Sequence, residues 1–347
     1  MERTGTILTG PDFEPIEGRL RIHDGVVEEI VPDNVEDDAI IAPGFVNAHT
    51  HLGDSIAKEA GRGLSLEELV APPDGLKHRL LREASDAELI EGMRRSLSFA
   101  IRSGTVACLD FREGGVDGVA QLESASASLP IRAYAYARES IEAMEAGDGF
   151  GASGANDADF TATREAAREL DKPFGIHAGE PDSSDIDPAL DLDPDFLVHV
   201  VHPEPHHLER IETTETPVVC CPRSNLVTGV GLAPFEALHE RTTLALGTDN
   251  VMLNSPSMFR EMAFVSKYSD LEAPEVLRMA TSNGAALLDR ADGVIEPGRP
   301  ANLIVLDAGT DNLSGVRDPI RAVVRRAGVD DVDDVLIDGE SVLERLS

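Results

Sequence analysis

Ile40-Ile41-Ala42-Pro43-Gly44-Phe45-Val46-Asn47-Ala48-His49-Thr50-His51 runs from apolar residues straight into two histidines one residue apart. In an extended chain residues i and i+2 face the same side, so both imidazoles point one way. A short apolar run punctuated by Pro-Gly and closed by polar residues reads as a buried strand of the parallel-sheet kind. Two imidazoles on one face can share a divalent ion. The pair alone is a weak signal, because strands carry such pairs by chance.

Outward from it, the stretch 44–290 alternates short apolar pieces with helix-like ones, the pattern of a parallel α/β fold. Strands are expected at 45–51, 105–111, 131–137, 149–153, 173–178, 196–201, 217–222 and 244–249. Helices are expected at 86–102, 161–170, 206–212 and 234–240, with one long helix over 257–288. The fourth strand is weak, being mostly glycine and serine, and 180–195 is too rich in proline and aspartate to be given a helix. Eight strands with intervening helices predict a (β/α)8 TIM-type barrel. Both ends are strand-rich: 18–22 and 26–31 flank an Asp24-Gly25 hairpin turn, and 302–306 and 335–339 lie near the other end. The expected organisation is a small β-sandwich-like domain from 1–43 plus 291–347, and a barrel over 44–290.

Composition narrows the function classes. Acidic residues outnumber basic ones 64 to 30, a formal charge of −34 that would repel nucleic acid and anionic lipid. No apolar run approaches the roughly 18 residues of a membrane span. Met1-Glu2-Arg3-Thr4 does not begin a secretory signal. The three cysteines (Cys108, Cys220, Cys221) are odd in number and lack CxxC spacing, so a reducing cytoplasm is expected. Only four of the 30 basic residues are lysines, which reads as a halophilic, salt-loaded interior where charge repulsion is screened, or else as an ordinary acidic protein. A small-molecule substrate is the expected partner, and a homo-oligomer is compatible with the sequence.

Three more pieces place ligand-type residues at strand ends, the rim on which barrels build active sites. His177-Ala178-Gly179-Glu180 follows Phe174-Gly175-Ile176; Leu197-Val198-His199-Val200-Val201-His202 buries an imidazole between valines; Leu244-Ala245-Leu246-Gly247-Thr248-Asp249 closes the last strand with a carboxylate. Each alone also reads as packing, a backbone-bonded histidine or a helix cap. His202 reads as a structural neighbour of the site, and His206 and His207 as surface residues at a helix start.

In order and spacing these pieces resemble the amidohydrolase superfamily, in particular its cytosine-deaminase-like and chlorohydrolase-like branch with an adenosine-deaminase-type mononuclear metal. The resemblance runs from Ala42–His51 through the His-Ala-Gly-Glu run to Val219-Cys220-Cys221-Pro222-Arg223-Ser224-Asn225 and Ala245–Asp249. It ends on Met279–Ala285 and Ile295–Leu303. It implies one divalent metal, zinc first and iron second, on His49, His51, His177 and Asp249. No lysine lies between Lys77 and Lys172 to bridge a second metal. It further implies a metal-bound hydroxide, with Asp249 taking the water proton, His199 bonding the hydroxide and the developing oxygen, and Glu180 protonating a ring nitrogen. Arg223, Ser224 and Asn225 are candidates for substrate contact. Arg62, Arg112 and Glu113 are others, equally readable as structural.

The expected activity is a metal-dependent aminohydrolase acting on a nucleobase-like, nucleoside-like or other cyclic amidine. The alternative on the same site is hydrolysis of a cyclic amide (a lactam or imidazolone) or another C–N or C–Cl bond. A non-catalytic binding or assembly relative would have lost ligands, whereas all four positions are filled. The chain is shorter than typical members of that branch, and the segment after Glu180 is compressed.

Overall fold

The computed structural model describes residues 1–35, 37–70 and 74–346. The strand expected at 45–51 is β5 (Phe45–His51); the apolar residues before it form a separate strand, β4 (Ala39–Pro43), and the chain changes sheets at Gly44 between them. Gly44 N–H donates to the Asn302 carbonyl at 2.9 Å and Phe45 N–H to that of Gly104 at 2.8 Å. A Cβ at Gly44 would stand 2.4 Å from Val106 Cγ1, so the crossing has room only for glycine.

β5 belongs to a nine-stranded parallel sheet. Its other strands are β6 (Thr105–Arg112), β7 (Arg132–Ala137), β8 (Gly149–Ala152), β9 (Phe174–Ala178), β10 (Phe196–His199), β11 (Val218–Cys220), β12 (Leu244–Leu246) and β13 (Asp249–Asn250). The order is β12-β11-β10-β9-β8-β7-β6-β5-β13. The two edge strands are consecutive pieces of chain, joined by Gly247 and Thr248, so the sheet is curled. Thr248 N–H donates to the His49 carbonyl at 3.0 Å. The Asn47 amide holds the same residue, donating to Thr248 Oγ1 at 2.8 Å and accepting its N–H at 3.1 Å. Val46, Leu109, Phe111, Phe196, Val198 and Val219 pack together, all at or below 1% exposure, which explains why these strands read as apolar runs rather than alternating ones.

The second sheet uses both flanks of the chain: β1 (Glu2–Thr9), β2 (Glu14–His23), β3 (Val26–Pro32), β14 (Leu303–Asp307), β15 (Val332–Ile337) and β16 (Glu340–Ser341) join β4 in the order β16-β15-β14-β4-β1-β2-β3. Asp24 (φ 48°) and Gly25 (φ 80°) both take left-handed backbone in the β2–β3 turn, as a two-residue Asp-Gly hairpin requires.

Two helix expectations are corrected. The stretch 257–288 is three helices, Met258–Tyr268, Ala273–Met279 and Ser282–Leu287. Pro274 sits in the first turn of the second, where its missing N–H costs nothing and where no preceding helix can run through it. The stretch 180–195 does contain a helix, Ile186–Asp191. Pro188 is tolerated in its first turn, while Ile186, Ala189 and Leu190 bury the inner face. No helix among the described residues is long and apolar enough to cross a membrane.

Candidate metal centre

His49 and His51 end β5, His177 lies in β9 and Asp249 opens β13, which pairs beside His51 through Thr50↔Asp249 and Asn250↔His51. His49 Nε2 stands 3.3 Å and His51 Nε2 3.5 Å from Asp249 Oδ1. Donor atoms of His49, His51 and Asp249 lie within 4.8 Å of one another, as do those of His49, His177 and His199, and of Glu180, His199 and Asp249. The His177 ring centroid is 5.0 Å from that of His49 and 5.6 Å from that of His51.

Hydrogen bonding fixes which nitrogens are free. His51 Nδ1 lies 3.1 Å from the Phe111 carbonyl and 2.8 Å from Glu113 Oε1, so Nδ1 carries the proton and Nε2 faces inward bare. His177 Nδ1–H donates to the Ala152 carbonyl at 2.8 Å, again leaving Nε2. His49 is fully buried; its Nδ1 has no hydrogen-bond partner among the described residues, and its Nε2 has only Asp249 Oδ1, 3.3 Å away. A buried polar group left this way is costly and calls for an unseen partner. Imidazole nitrogens and a carboxylate are the donors a divalent ion takes, and the 3.3–3.5 Å spacings of His49 and His51 from Asp249 match the edge of a tetrahedron with bonds of about 2.0–2.1 Å; His177 groups with His49 and His199 rather than with His51 and Asp249. The residues fit such an ion.

Electrostatics agree. Burial lowers His49, lowers His51 to about 3, and with the neighbouring imidazoles holds His177 well below the usual range, so all three are neutral. Ligand histidines must be neutral. Burial opposes ionisation of Asp249, yet the facing imidazoles of His49, His199 and His51 hold it well below the usual carboxylate range.

His199 is held differently. Asn225 Nδ2 donates to its Nδ1 at 3.0 Å and to Glu180 Oε1 at 3.3 Å. The His199 proton therefore sits on Nε2, 3.6 Å from Glu180 Oε2, which suits a donor rather than a ligand. Burial pushes the Glu180 carboxyl up, against the nearby His199. His199 (φ 80°), Val200 (φ 48°) and Asp249 (φ 55°) take left-handed backbone, a strain tolerated where function re-aims strand ends.

Arg223, Ser224 and Asn225 ride on the helix Pro222–Thr228. Sequence reading offers all three as candidates for substrate contact; in the structure each also bonds a neighbouring side chain. Ser224 Oγ donates to Asp249 Oδ2 at 2.5 Å, and Asn225 holds Glu180 and His199. The Arg223 guanidinium is committed to Glu261 Oε1 and the Ser255 carbonyl, both at 2.7 Å. Arg62 is exposed, whereas Arg112 and Glu113 are buried. A cavity of about 220 Å³ opens beside the cluster, lined in part by His51, Lys77, Arg138, Glu180, His199 and Asp249. Lys77 was missed from sequence; its one signal was rarity, being one of four lysines in an acidic chain.

His202 is exposed, and His206 is exposed as expected. His207, expected at the surface, is 3% exposed. Its Nδ1 accepts the Glu204 N–H at 3.0 Å, so its Nε2 keeps a proton for Asp187 Oδ2 at 3.5 Å. With Arg210 Nη1 on Asp187 Oδ1 at 2.6 Å, this is a knot of hydrogen bonds between helices Ile186–Asp191 and Pro205–Thr214. Donor atoms of Asp187, His206 and His207 also lie within 4.8 Å of one another, but hydrogen bonds between these helices already engage them.

Comparison with known proteins matches residues 40–342 to the sequence model of the amidohydrolase family. A Methanothermobacter thermautotrophicus protein named only as an aminohydrolase is 36% identical, covering 97% of each chain. A 5-methylthioadenosine/S-adenosylhomocysteine deaminase of Halobacterium salinarum is 28% identical over 98% of this chain and 91% of its own. Among solved structures, an adenosine deaminase from Xanthomonas campestris with bound zinc superposes with a TM-score of 0.80 at 22% identity, over 97% of this chain and 91% of that one.

Proposed function

This chain belongs to the amidohydrolase family, and we propose that it is a hydrolase of C–N bonds that releases ammonia from a nucleobase-like or other cyclic amidine. One observation carries the reading. A mostly buried carboxyl, Glu180, raised above its ordinary range, faces the His199 Nε2–H and Asp249 beside three neutral imidazoles.

His49, His51, His177 and Asp249 would hold one divalent ion, zinc by the chemistry of three imidazoles and a carboxylate. Such an ion supplies Lewis acidity and makes hydroxide available near neutral pH. The chain's own groups do the rest. Glu180, whose carboxyl burial pushes up, delivers a proton to the ring nitrogen beside the attacked carbon. His199 aims Nε2–H at the oxygen that adds there, its ring fixed by Asn225. Asp249 takes a proton from the incoming water and passes it to the departing amine. A C–O bond forms, the C–N bond breaks as ammonia leaves, and the added hydroxyl gives its proton back to Glu180 as the carbonyl forms. Each proton transfer of this kind contributes about 10²–10⁴-fold.

We read the curled sheet as a (β/α)8 barrel closed through 244–250, braced by a small β domain of 1–43 plus 291–347. The scarcity of lysine in a chain of charge −34 supports a cytoplasm loaded with salt. The test is ammonia release by the zinc-loaded protein across purines, pyrimidines and their nucleosides. Release from at least one supports the reading. No ammonia from any, with opening of a lactam or imidazolone, refutes it.

A further inference from the structure

One of the four lysines stands in the cavity wall: the Lys77 side chain is only 2% exposed. An ammonium is kept at such a place only if it is paired. Lys77 Nζ meets Glu113 Oε1 at 2.6 Å and Asn250 Oδ1 at 3.1 Å. An ammonium has three N–H donors, so one remains beyond these two acceptors. Arg138 lines the same cavity and reaches the same Glu113 oxygen through Nη1 at 3.4 Å. Among the described residues its guanidinium has no other partner, so most of its five donors are also unused.

Two cations thus share one carboxylate oxygen on one wall, while Glu180 and Asp185 line the same cavity. A ligand that matches this division has an acidic group for Lys77 and Arg138 and a protonatable ring nitrogen for Glu180. At about 220 Å³ the cavity falls below the usual ligand-pocket range of roughly 300–1,000 Å³, which favours a base-sized molecule over a nucleoside.

We propose that Lys77, with Arg138 beside it, is the specificity determinant for a carboxylate on the substrate, which is therefore a small cyclic amidine bearing an acid group. The inference rests on the aminohydrolase reading and narrows its substrate class. Neither side chain takes part in bond breaking.

The test uses matched pairs on the full-length, zinc-loaded protein: cytosine-5-carboxylate against cytosine-5-carboxamide, and isocytosine-6-carboxylate against its 6-carboxamide. Calorimetry on the Glu180→Gln form reads binding without turnover. In at least one pair the acid binds about tenfold or more tighter than the amide, the scale of a charge-assisted hydrogen bond. Lys77→Gln and Arg138→Gln each abolish that preference while changing amide affinity less than about threefold. Should Lys77→Gln fail to fold, Arg138→Gln, at a less buried side chain, reads the same preference. Acids that bind no tighter than amides in both pairs overturn the inference. So does equal weakening of both members in variants that keep their zinc and melting temperature. Wild-type ammonia assays separate the two readings. An acid preference without any ammonia release refutes the aminohydrolase and leaves the subsite standing; ammonia from neutral bases without acid preference refutes the subsite alone.

Discussion

The Glu113 carboxylate stands 2.8 Å from His51 Nδ1 and so decides which nitrogen of that ring faces the centre. The same oxygen takes Lys77 and Arg138, and Arg112 Nη2 approaches Oε2 at 3.5 Å. Glu113→Gln is expected to weaken zinc affinity about 10–100-fold, as loss of a carboxylate behind a ligand histidine does. Glu113→Ala leaves three cations without their shared partner and is expected to cost about 3–5 kcal/mol as well. Chelator competition and urea melts measure the two effects separately.

Ligand and acid roles separate in a second pair of variants. His177→Ala removes an inward nitrogen and is expected to lose the bound metal. Glu180→Gln keeps one equivalent of metal, while turnover falls by about 10²–10⁴-fold. Metal analysis beside an ammonia assay decides it, and equal metal loss in both variants contradicts the assignment.

Asn225 holds Glu180 and His199 with one amide nitrogen. Asn225→Ala frees both side chains, and kcat is expected to fall by up to about 100-fold from lost alignment, with metal content unchanged. Asn225→Asp turns a donor into an acceptor and draws the His199 proton to Nδ1, so it is expected to be no better than alanine. A variant with wild-type kcat would show that the amide does not position these groups.

Burial pushes Glu261 up to about 7 despite its bond to Arg223, and Asp110 up to about 6. A carboxyl raised in the folded state stays protonated where its unfolded counterpart has ionised. Folding then binds extra protons, so stability falls as pH rises from the unfolded value toward the folded one. For Glu261 that window runs from about 4.5 to about 7. Glu261→Gln should flatten the decline of the melting temperature across this window, and an unchanged slope refutes the assignment.

Gly44→Ala drives a methyl to within 2.4 Å of Val106 Cγ1. Overpacking of this kind costs about 1–3 kcal/mol. A lower melting temperature is expected, and Val106→Ala should restore part of it.

Features written within a few residues were legible in sequence. The helix Asp86–Arg102 begins on Ser85, whose capping box with Glu88 spans four residues. The Asp24-Gly25 hairpin is equally local. The ligand-type residues stood out because each closes an apolar strand, and parallel strands deliver their ends to one rim. Contacts made at long range were not legible. Lys77 and Glu113 are 36 positions apart and meet only because an outer helix leans over the rim. His207 looked like surface because nothing nearby announces Asp187 from another helix. Proline and aspartate hid the Ile186–Asp191 helix, since their usual role in turns outweighs their tolerance in a first turn.

β4 is clasped between β1 and β14, that is, between residues before position 10 and residues after 300, and only Gly44 separates it from the strand bearing His49 and His51. The rear sheet is therefore a mechanical linkage. The pairing of β4 is complete only when strands about 300 positions apart have come together on its two sides. A change in that sheet, which holds none of the proposed reacting groups, is therefore one residue away from the strand that carries His49 and His51.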